Sequence, residues 1–390
     1  ARRSSRAARG RPLMQIYNQT GFPHEFTMAM DKAGHEFILL VVKGTFDFPA
    51  EIGGPVRPSD TQVPLVMADE YTGAPGFSAP RWESDFAHRK PRCDIVLNGA
   101  AYAPGRRPAT SVRAGLKVGA WSKVLDVFGH REWRARGPLF AATHPEPFLR
   151  RPISYDVAWG GTDRLDPDDT LPGAWLRNPV GTGWAQSKHQ RLVPGLALPT
   201  TQAVGEDISS PFGDYTPMSL GPMGRGWPGR IEHAGTYDQN WIDNVFPFLP
   251  ADFDDRYYQM APPDQQTAPP QGGEEVILAN LTPAGKENFR LPATTLPVVI
   301  FKDDAAALEE GLLPDTLLLD PENRRLSFVW RASVRIRRTI LDFTEAWVGP
   351  PTGPMLRARA EGRIYIRAAA GAPVEDEDEE EEETAGGPPA

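Results

Sequence analysis

Short alternating runs dominate the chain. Apolar and polar residues change places every second position in "MQIYN" (14–18), "CDIVLNGAAYA" (93–103), "TSVRAGLKVG" (110–119), "WSKVLDVFG" (121–129), "EEVILANL" (274–281), "LPVVIFK" (296–302) and "RAEGRIYIRA" (359–368). That period predicts strands with one face buried and one in water. The longer "EFILLVVKGTFDF" (36–48) carries an unbroken apolar stretch at Phe37–Val42, the mark of a strand covered on both faces. Two hairpins follow from turn chemistry. Gly119-Ala120 separates two alternating runs, and Pro321-Glu322-Asn323-Arg324 follows Asp320 between "DTLLLD" and "RLSFVWR". Helical pattern is scarce, the best pieces being "DDAAALEEGL" (303–312) and "RRTILDFTEAW" (337–347).

Between about 144 and 272 the pattern breaks down. This stretch is rich in Pro, Gly, Trp and Asp, with Trp159, Trp175, Trp184, Trp227 and Trp241 among its aromatics. A structureless loop of that length inside a compact domain is uncommon, and so many aromatics need cover. The expectation is therefore mainly β: an antiparallel, sandwich-like body with an irregular Pro/Gly/Trp-rich cap and few short helices. Residues 1–13 form a basic leader, 14–143 an N-terminal β module and 144–272 the cap. Residues 273–370 form a C-terminal β module of the same body, and 371–390 a tail. Met14 is a candidate natural start.

Charge adds one feature. The chain has 42 Lys and Arg against 51 Asp and Glu, for a net −9. Nine consecutive acidic residues, 375–383, account for an excess of that size, and the body from Met14 to Val374 is only mildly acidic. A body of that charge has no global attraction for nucleic acid. The acidic run reads as a self-repelling disordered tail. No run approaches about 18 apolar residues, so no membrane helix is expected. The start lacks the apolar core of a secretory signal, and a single Cys93 allows no internal disulfide. Both fit a cytoplasmic protein.

Chemical motifs are few. No nucleophile elbow, phosphate loop, dinucleotide fingerprint or HExxH motif is present. The seven histidines never fall three or four residues apart, which argues against a metal site. Cys93 opens a strand and reads as a small buried residue. Asp163, Asp166, Asp168 and Asp169, with Asp252, Asp254 and Asp255, leave open a glycosidase-like carboxylate pair, although Asp among Pro and Gly usually builds turns and caps. Arg89, Lys90 and Arg92 before a strand suit either a solvated loop or an anionic ligand. In "YYQMAPPDQQ" (257–266), Pro262 and Pro263 fix the backbone, and Asp264, Gln265 and Gln266 either tie the loop down or face a partner. Glycines after Trp159 point to close backbone packing more than to ligand approach. Trp330 reads as core and Arg331 as a surface or buried, paired residue.

Trp, Tyr and Arg are the usual anchors of protein interfaces. On that ground the candidate partner-binding residues are Trp159, Trp184, Trp241, Tyr257, Tyr258, Asp264, Gln265 and Arg331. No catalytic residue, cofactor or metal is assigned.

Seven stretches in a fixed order carry a resemblance: "WESDFAHRKPRCDIVLNGAAYAP" (82–104), "ISYDVAWGGT" (153–162), "NPVGTGW" (178–184), "GTYDQNW" (235–241), "YYQMAPPDQQ" (257–266), "GEEVILANLTPAGKENFRLP" (273–292) and "LPDTLLLDPENRRLSFVWRA" (313–332). Over about residues 14–350 the chain resembles a bacterial family of domains of uncharacterised function. Members are encoded beside the VgrG and PAAR spike proteins of type VI secretion systems. The resemblance implies a cytoplasmic, non-enzymatic adaptor or chaperone that binds an effector and assists its loading onto the spike. The basic leader and acidic tail lie outside it. Two alternatives remain open: a carbohydrate-binding or carbohydrate-active β protein, and a structural component of the spike or sheath. The tail reading is checked by calorimetry. Deletion of residues 375–390 leaves the melting temperature unchanged, and a fall of several degrees would refute a solvated tail.

Overall fold

The computed structural model describes residues 14–51, 53–302, 305–363 and 365. Two compact units divide at Gly349–Pro350. In the first, β1 spans Gln15–Asn18, β2 His24–Met30, β3 Glu36–Asp47, β4 Cys93–Leu97, β5 Ser111–Val118, β6 Trp121–Phe128 and β7 Thr201–Ala203. There follow α1 Gln239–Asn244, β8 Gln266–Thr267, β9 Glu275–Ala279, β10 Lys286–Arg290, β11 Leu296–Lys302, β12 Ala305–Leu312, β13 Thr316–Asp320, β14 Arg325–Arg335 and β15 Phe343–Val348, with shorter strands between. The second unit holds α2, Gly353–Ala360, whose first turn is capped by the Thr352 hydroxyl. The fold is mainly β, as the alternating pattern implies.

Three sheets share one core. The largest runs β8-β4-β13-β14-β3-β2, the second β7-β6-β5-β9-β10 and the third β1-β15-β11-β12. Strands from the two ends of the sequence interleave: β14 pairs with β3 over eleven positions, from Arg325↔Asp47 to Arg335↔Phe37. Ile38, Leu40 and Val42 of β3 meet Leu116, Leu125 and Val276 of the second sheet and Val298 and Ile300 of the third in one apolar cluster. Leu39 and Val41 point the other way, into a smaller cluster with Val96, Val329, Met260 and Ala261. That is why Phe37–Val42 has no polar interruption: alternate residues serve opposite cores.

Both expected hairpins form. Val118 pairs with Trp121 across Gly119-Ala120, and Gly119 takes φ +57°. Asp320 accepts from Asn323 N–H at the second turn, where Arg324 sits at φ +52°. Two helical expectations fail. Ala305–Leu312 is an edge strand hydrogen-bonded to β11 from Leu296↔Leu312 to Lys302↔Ala305, so tertiary pairing overrides the helix propensity of Ala, Leu and Glu. Residues 337–347 give one short 3-10 turn at Ile340–Asp342 and then β15, held between β1 and β11. The expected strand at 359–368 begins as the end of α2 and a turn at Glu361–Gly362; residues 364 and 366–368 lie outside the described ones, as do the leader and acidic run. Nor is the pairing purely antiparallel: β1 with β15 and β4 with β13 are parallel.

The irregular middle builds a second core together with the strand that precedes it. Trp159, Val193, Leu198 and Ile208 are buried with Trp133 of residues 14–143, and Trp175, Trp184 and Tyr215 pack on them. The Trp159 ring meets Tyr215 edge-on at 4.8 Å. Its neighbours Gly160 and Gly161 have φ of +139° and +122°, and a Cβ on Gly160 would lie 2.2 Å from the Asn178 carbonyl oxygen. The glycines thus permit close backbone packing in the cap. Gly160→Ala is expected to destabilise the protein by about 3 kcal/mol or more, through combined backbone strain and overlap. A urea midpoint within error of the wild type would contradict this.

Candidate functional site

Asp94 lies in β4 inside an otherwise apolar run, wholly buried. A carboxylate there needs its full complement of donors. It finds them in the cap segment. Gln259 Nε2 donates to Oδ1 at 2.6 Å and Ala261 N–H at 3.2 Å; Met260 N–H donates to Oδ2 at 3.0 Å. Lys90 Nζ completes the set at 2.7 Å and also donates to Thr316 Oγ1. Gln259 Oε1 in turn accepts from Arg92 N–H. Of the basic trio before β4, Lys90 and Arg92 are thereby committed within the fold, Arg92 through two donors to the Gln266 carbonyl.

"YYQMAPPDQQ" is therefore a fastening. Gln265 is fully buried; its amide donates to the Ile95 and Leu220 carbonyls and its oxygen accepts from Lys123 Nζ at 2.8 Å. Burial pulls the Lys123 ammonium down, while Asp264, at 2.8 Å, works in the opposite direction. Gln266 and Thr267 form the edge ladder on Asp94 and Cys93.

A second fastening is ionic. Arg230, 1 % exposed, forms a two-pronged pair with Glu83 and donates to the Tyr257 and Met223 carbonyls. Arg225 pairs with Asp69 through Nε at 2.7 Å and Nη2 at 3.0 Å, and reaches Glu83 at 3.1 Å. Burial opposes the Asp69 charge, yet the Arg225 hydrogen bonds hold its carboxyl below the ordinary range. Two residues beyond Val41, on the same face of β3, Lys43 forms an enclosed pair with Asp85 at 3.0 Å. Lys43 borders a cavity of about 300 Å³ with Trp82, Glu70, Arg81 and Arg325.

Pinned this way, the cap presents an apolar surface around α1. Asp238 caps the helix by accepting from Trp241 N–H. Trp241 stacks edge-on with Tyr237 at 4.7 Å and Phe246 at 5.5 Å, and its indole N–H donates to the Phe248 carbonyl. Tyr237, Ile242, Phe246 and Phe248 are 51, 56, 66 and 42 % exposed. Phe248 lies 3.5 Å from where a Cβ on Gly34 would stand, over the turn joining β2 to β3. It shares a cleft of about 490 Å³ with Met30, His35, Glu36, Arg335 and Arg337. Lys32 in that turn donates to the Phe253 carbonyl and holds the two elements together. A contiguous cluster of large exposed side chains on a fixed frame is the candidate site.

The expected partner residues divide by environment. Trp241 belongs to this surface. Tyr257 and Tyr258 are half-buried and pack around Phe253 at 5.9 and 5.5 Å. Asp264 is exposed and tied to Lys123. Trp184 is half-buried on the cap core. Trp159, Gln265 and Arg331 are enclosed and offer no surface to a partner. Arg331, with a side chain 4 % exposed, is paired with Asp315 and donates to the Asp85 carbonyl. Burial raises the Asp315 carboxyl against the pull of Arg331. Phe246 and Phe248 belong to the aromatics of the middle stretch that composition expects to be covered, and that expectation fails for both, which stand 66 and 42 % exposed; Ile242 gave no signal. Asp94 was passed over too, although a carboxylate inside "CDIVL" is itself a signal of an enclosed partner.

Five of the seven candidate carboxylates, Asp163, Asp166, Asp169, Asp252 and Asp254, are engaged by donors of the protein itself. Asp163 accepts from Leu165 and Gln186 N–H groups and from His189 Nδ1 at 2.8 Å. Asp166 and Asp169 accept from the backbone two residues on, Asp252 from Thr236, and Asp254 from Arg256, which holds the Asp254 carboxyl down at about 2. Among the described residues no group of His, Cys, Asp or Glu is arranged to hold a metal ion. The Cys93 thiol is buried and pushed well up by burial. No helix among the described residues is long and apolar enough to cross a membrane.

The geometry defines a mainly-β protein with a pinned cap and an exposed aromatic face. Residues 33–331 match the family described as an uncharacterized protein conserved in bacteria, DUF2169, and the chain belongs to that family. No curated protein and no solved structure matches it.

The Arg225–Asp69 contact has a pH signature. Because the folded state lowers the Asp69 pKa, its stabilisation is complete above the ordinary carboxylate pKa of about 4 and disappears as pH falls below it. Asp69→Asn is expected to lower the urea midpoint at pH 7, with the gap to wild type closing as the pH drops from 5 toward 3. A gap that stays constant over that range would show that the Asp69 charge contributes nothing.

Proposed function

We propose that the chain is a cytoplasmic adaptor, without catalytic activity of its own, that binds a type VI secretion effector and assists its loading onto the VgrG/PAAR spike. The ordered motif set described above supports the secretion context. The observation that carries an adaptor role is the α1 surface, where Tyr237, Ile242, Phe246 and Phe248 stand exposed on a cap fixed by Asp94 and by the Arg230–Glu83 pair. Aromatic anchors held in place before a partner arrives lose little conformational entropy on binding. The engagement of Asp163, Asp166, Asp169, Asp252 and Asp254 by donors of the protein itself favours a binding role over a catalytic one.

Co-expression with the proteins encoded next to it, followed by size-exclusion chromatography, tests the reading. One toxin-like neighbour is expected to co-elute with the chain and to be poorly soluble without it. The double variant Ile242→Asp, Phe246→Asp is expected to fold but to lose the neighbour by tenfold or more in affinity. If the chain elutes alone and every neighbour is soluble without it, the adaptor role is refuted.

A further inference from the structure

The outer edge of β2 is the longest edge of the three sheets that is nearly free of charge; β1, an edge with no charged side chain, is only four residues. β7 and β8 are only three and two residues long, β10 carries Lys286, Glu287 and Arg290, and β12 exposes Glu309 and Glu310. Short length and charge are the ordinary means of keeping an edge from pairing with another chain. β2 is seven residues, "HEFTMAM", with Glu25 its one acidic or basic residue apart from His24. Its pairing with β3 fixes which backbone groups are free. Lys43 N–H donates to the Pro23 carbonyl and Asp31 N–H to the His35 carbonyl. By the alternation of an antiparallel ladder, Phe26, Met28 and Met30 then turn their N–H and C=O groups away from β3. Phe26 N–H meets the Glu25 carboxylate at 3.0 Å. For Met28 and Met30 no such partner is present among the described residues.

The side chains continue the aromatic face. Met28 and Met30 are 48 and 38 % exposed. Met30 lines the same cleft as Phe248, and through Phe248 the edge runs on to Trp241. The cleft is cationic: Arg335 and Arg337 have no ion-pair partner among the described residues, against one carboxylate, Glu36.

We infer that β2 receives an extended segment of the partner protein, alternating apolar and acidic side chains, as an added strand. Backbone groups of Met28 and Met30 bond the segment. Its apolar side chains lie on Met28, Met30 and Phe248, and its carboxylates are drawn toward the cationic cleft of Arg335 and Arg337, which stand beyond β3. Such strand addition takes affinity from the backbone and selectivity from alternate side chains. The inference rests on the adaptor reading for the source of the segment, but its surface can be tested separately.

The probe is a twelve-residue synthetic peptide alternating valine and glutamate, with a valine–lysine peptide as control, added to the full chain. Saturable binding is expected, with slowed hydrogen exchange at the Met28 and Met30 amides and at least tenfold weaker binding of the lysine peptide. Met28→Pro removes an N–H that the β3 ladder does not use, so the variant is expected to fold with an unchanged melting temperature and to bind tenfold more weakly or worse. Arg335→Glu with Arg337→Glu is a second variant expected to lose binding without touching the backbone edge. No saturable binding up to millimolar peptide, or protection confined to another strand, overturns the inference. So does a dimer that Met28→Pro makes monomeric, since the occupant is then a second copy. A neighbouring protein still captured by Met28→Pro overturns this inference and leaves the adaptor reading intact. Peptide binding at β2 with no neighbour captured by the wild type does the reverse.

Discussion

A carboxylate in the middle of a sheet strand has to be satisfied where it stands, and Asp94 is satisfied almost entirely from outside its own sheet. Three of its four donors come from Gln259, Met260 and Ala261. An uncompensated carboxylate in an apolar core is strongly unfavourable, far beyond the few kcal/mol of a lost neutral hydrogen bond. The cap segment therefore cannot leave without exposing that unfavourable charge, and the sheet cannot form correctly without the cap. Gln265, with its bonds to Ile95, Leu220 and Lys123, repeats the arrangement one turn later. Body and cap are one cooperative structure because each holds what the other needs buried.

That coupling explains how a region with little regular secondary structure keeps a defined surface. The segment containing α1 has few ladder hydrogen bonds, yet its two ends are held by Arg230 on one side and the Asp94 contacts on the other. The aromatic cluster of Tyr237, Trp241 and Phe246 sits between these fixed points. Its exposure is thus a property of the folded state, not of a loose loop.

Local pattern carried the strands well. The two-sided burial of Phe37–Val42 and both hairpin turns were legible because each depends on residues adjacent in sequence. Ala305–Leu312 was not, since its conformation is decided by β11 and its own residues favour a helix. The role of Gln265 was readable only as a choice between tying and presenting, because the groups that settle it, Ile95, Leu220 and Lys123, are 45 to 170 residues away. The exposed face was half legible: tryptophan drew attention to position 241, but burial depends on packing, and Trp159 with the same chemistry lies in the cap core.

The pairing of β3 with β14 has a consequence for synthesis. Asp47 and its partner Arg325 are 278 residues apart, counting 325 − 47. At a ribosomal rate of roughly 5–20 residues per second, β3 waits on the order of tens of seconds for its central neighbour. During that interval a strand with apolar residues on both faces has beside it only β2 and the two-residue strand Arg57–Pro58, which covers Phe46 and Asp47 alone. The apolar run Phe37–Val42 therefore leaves the ribosome long before the strand that covers its central edge has been made.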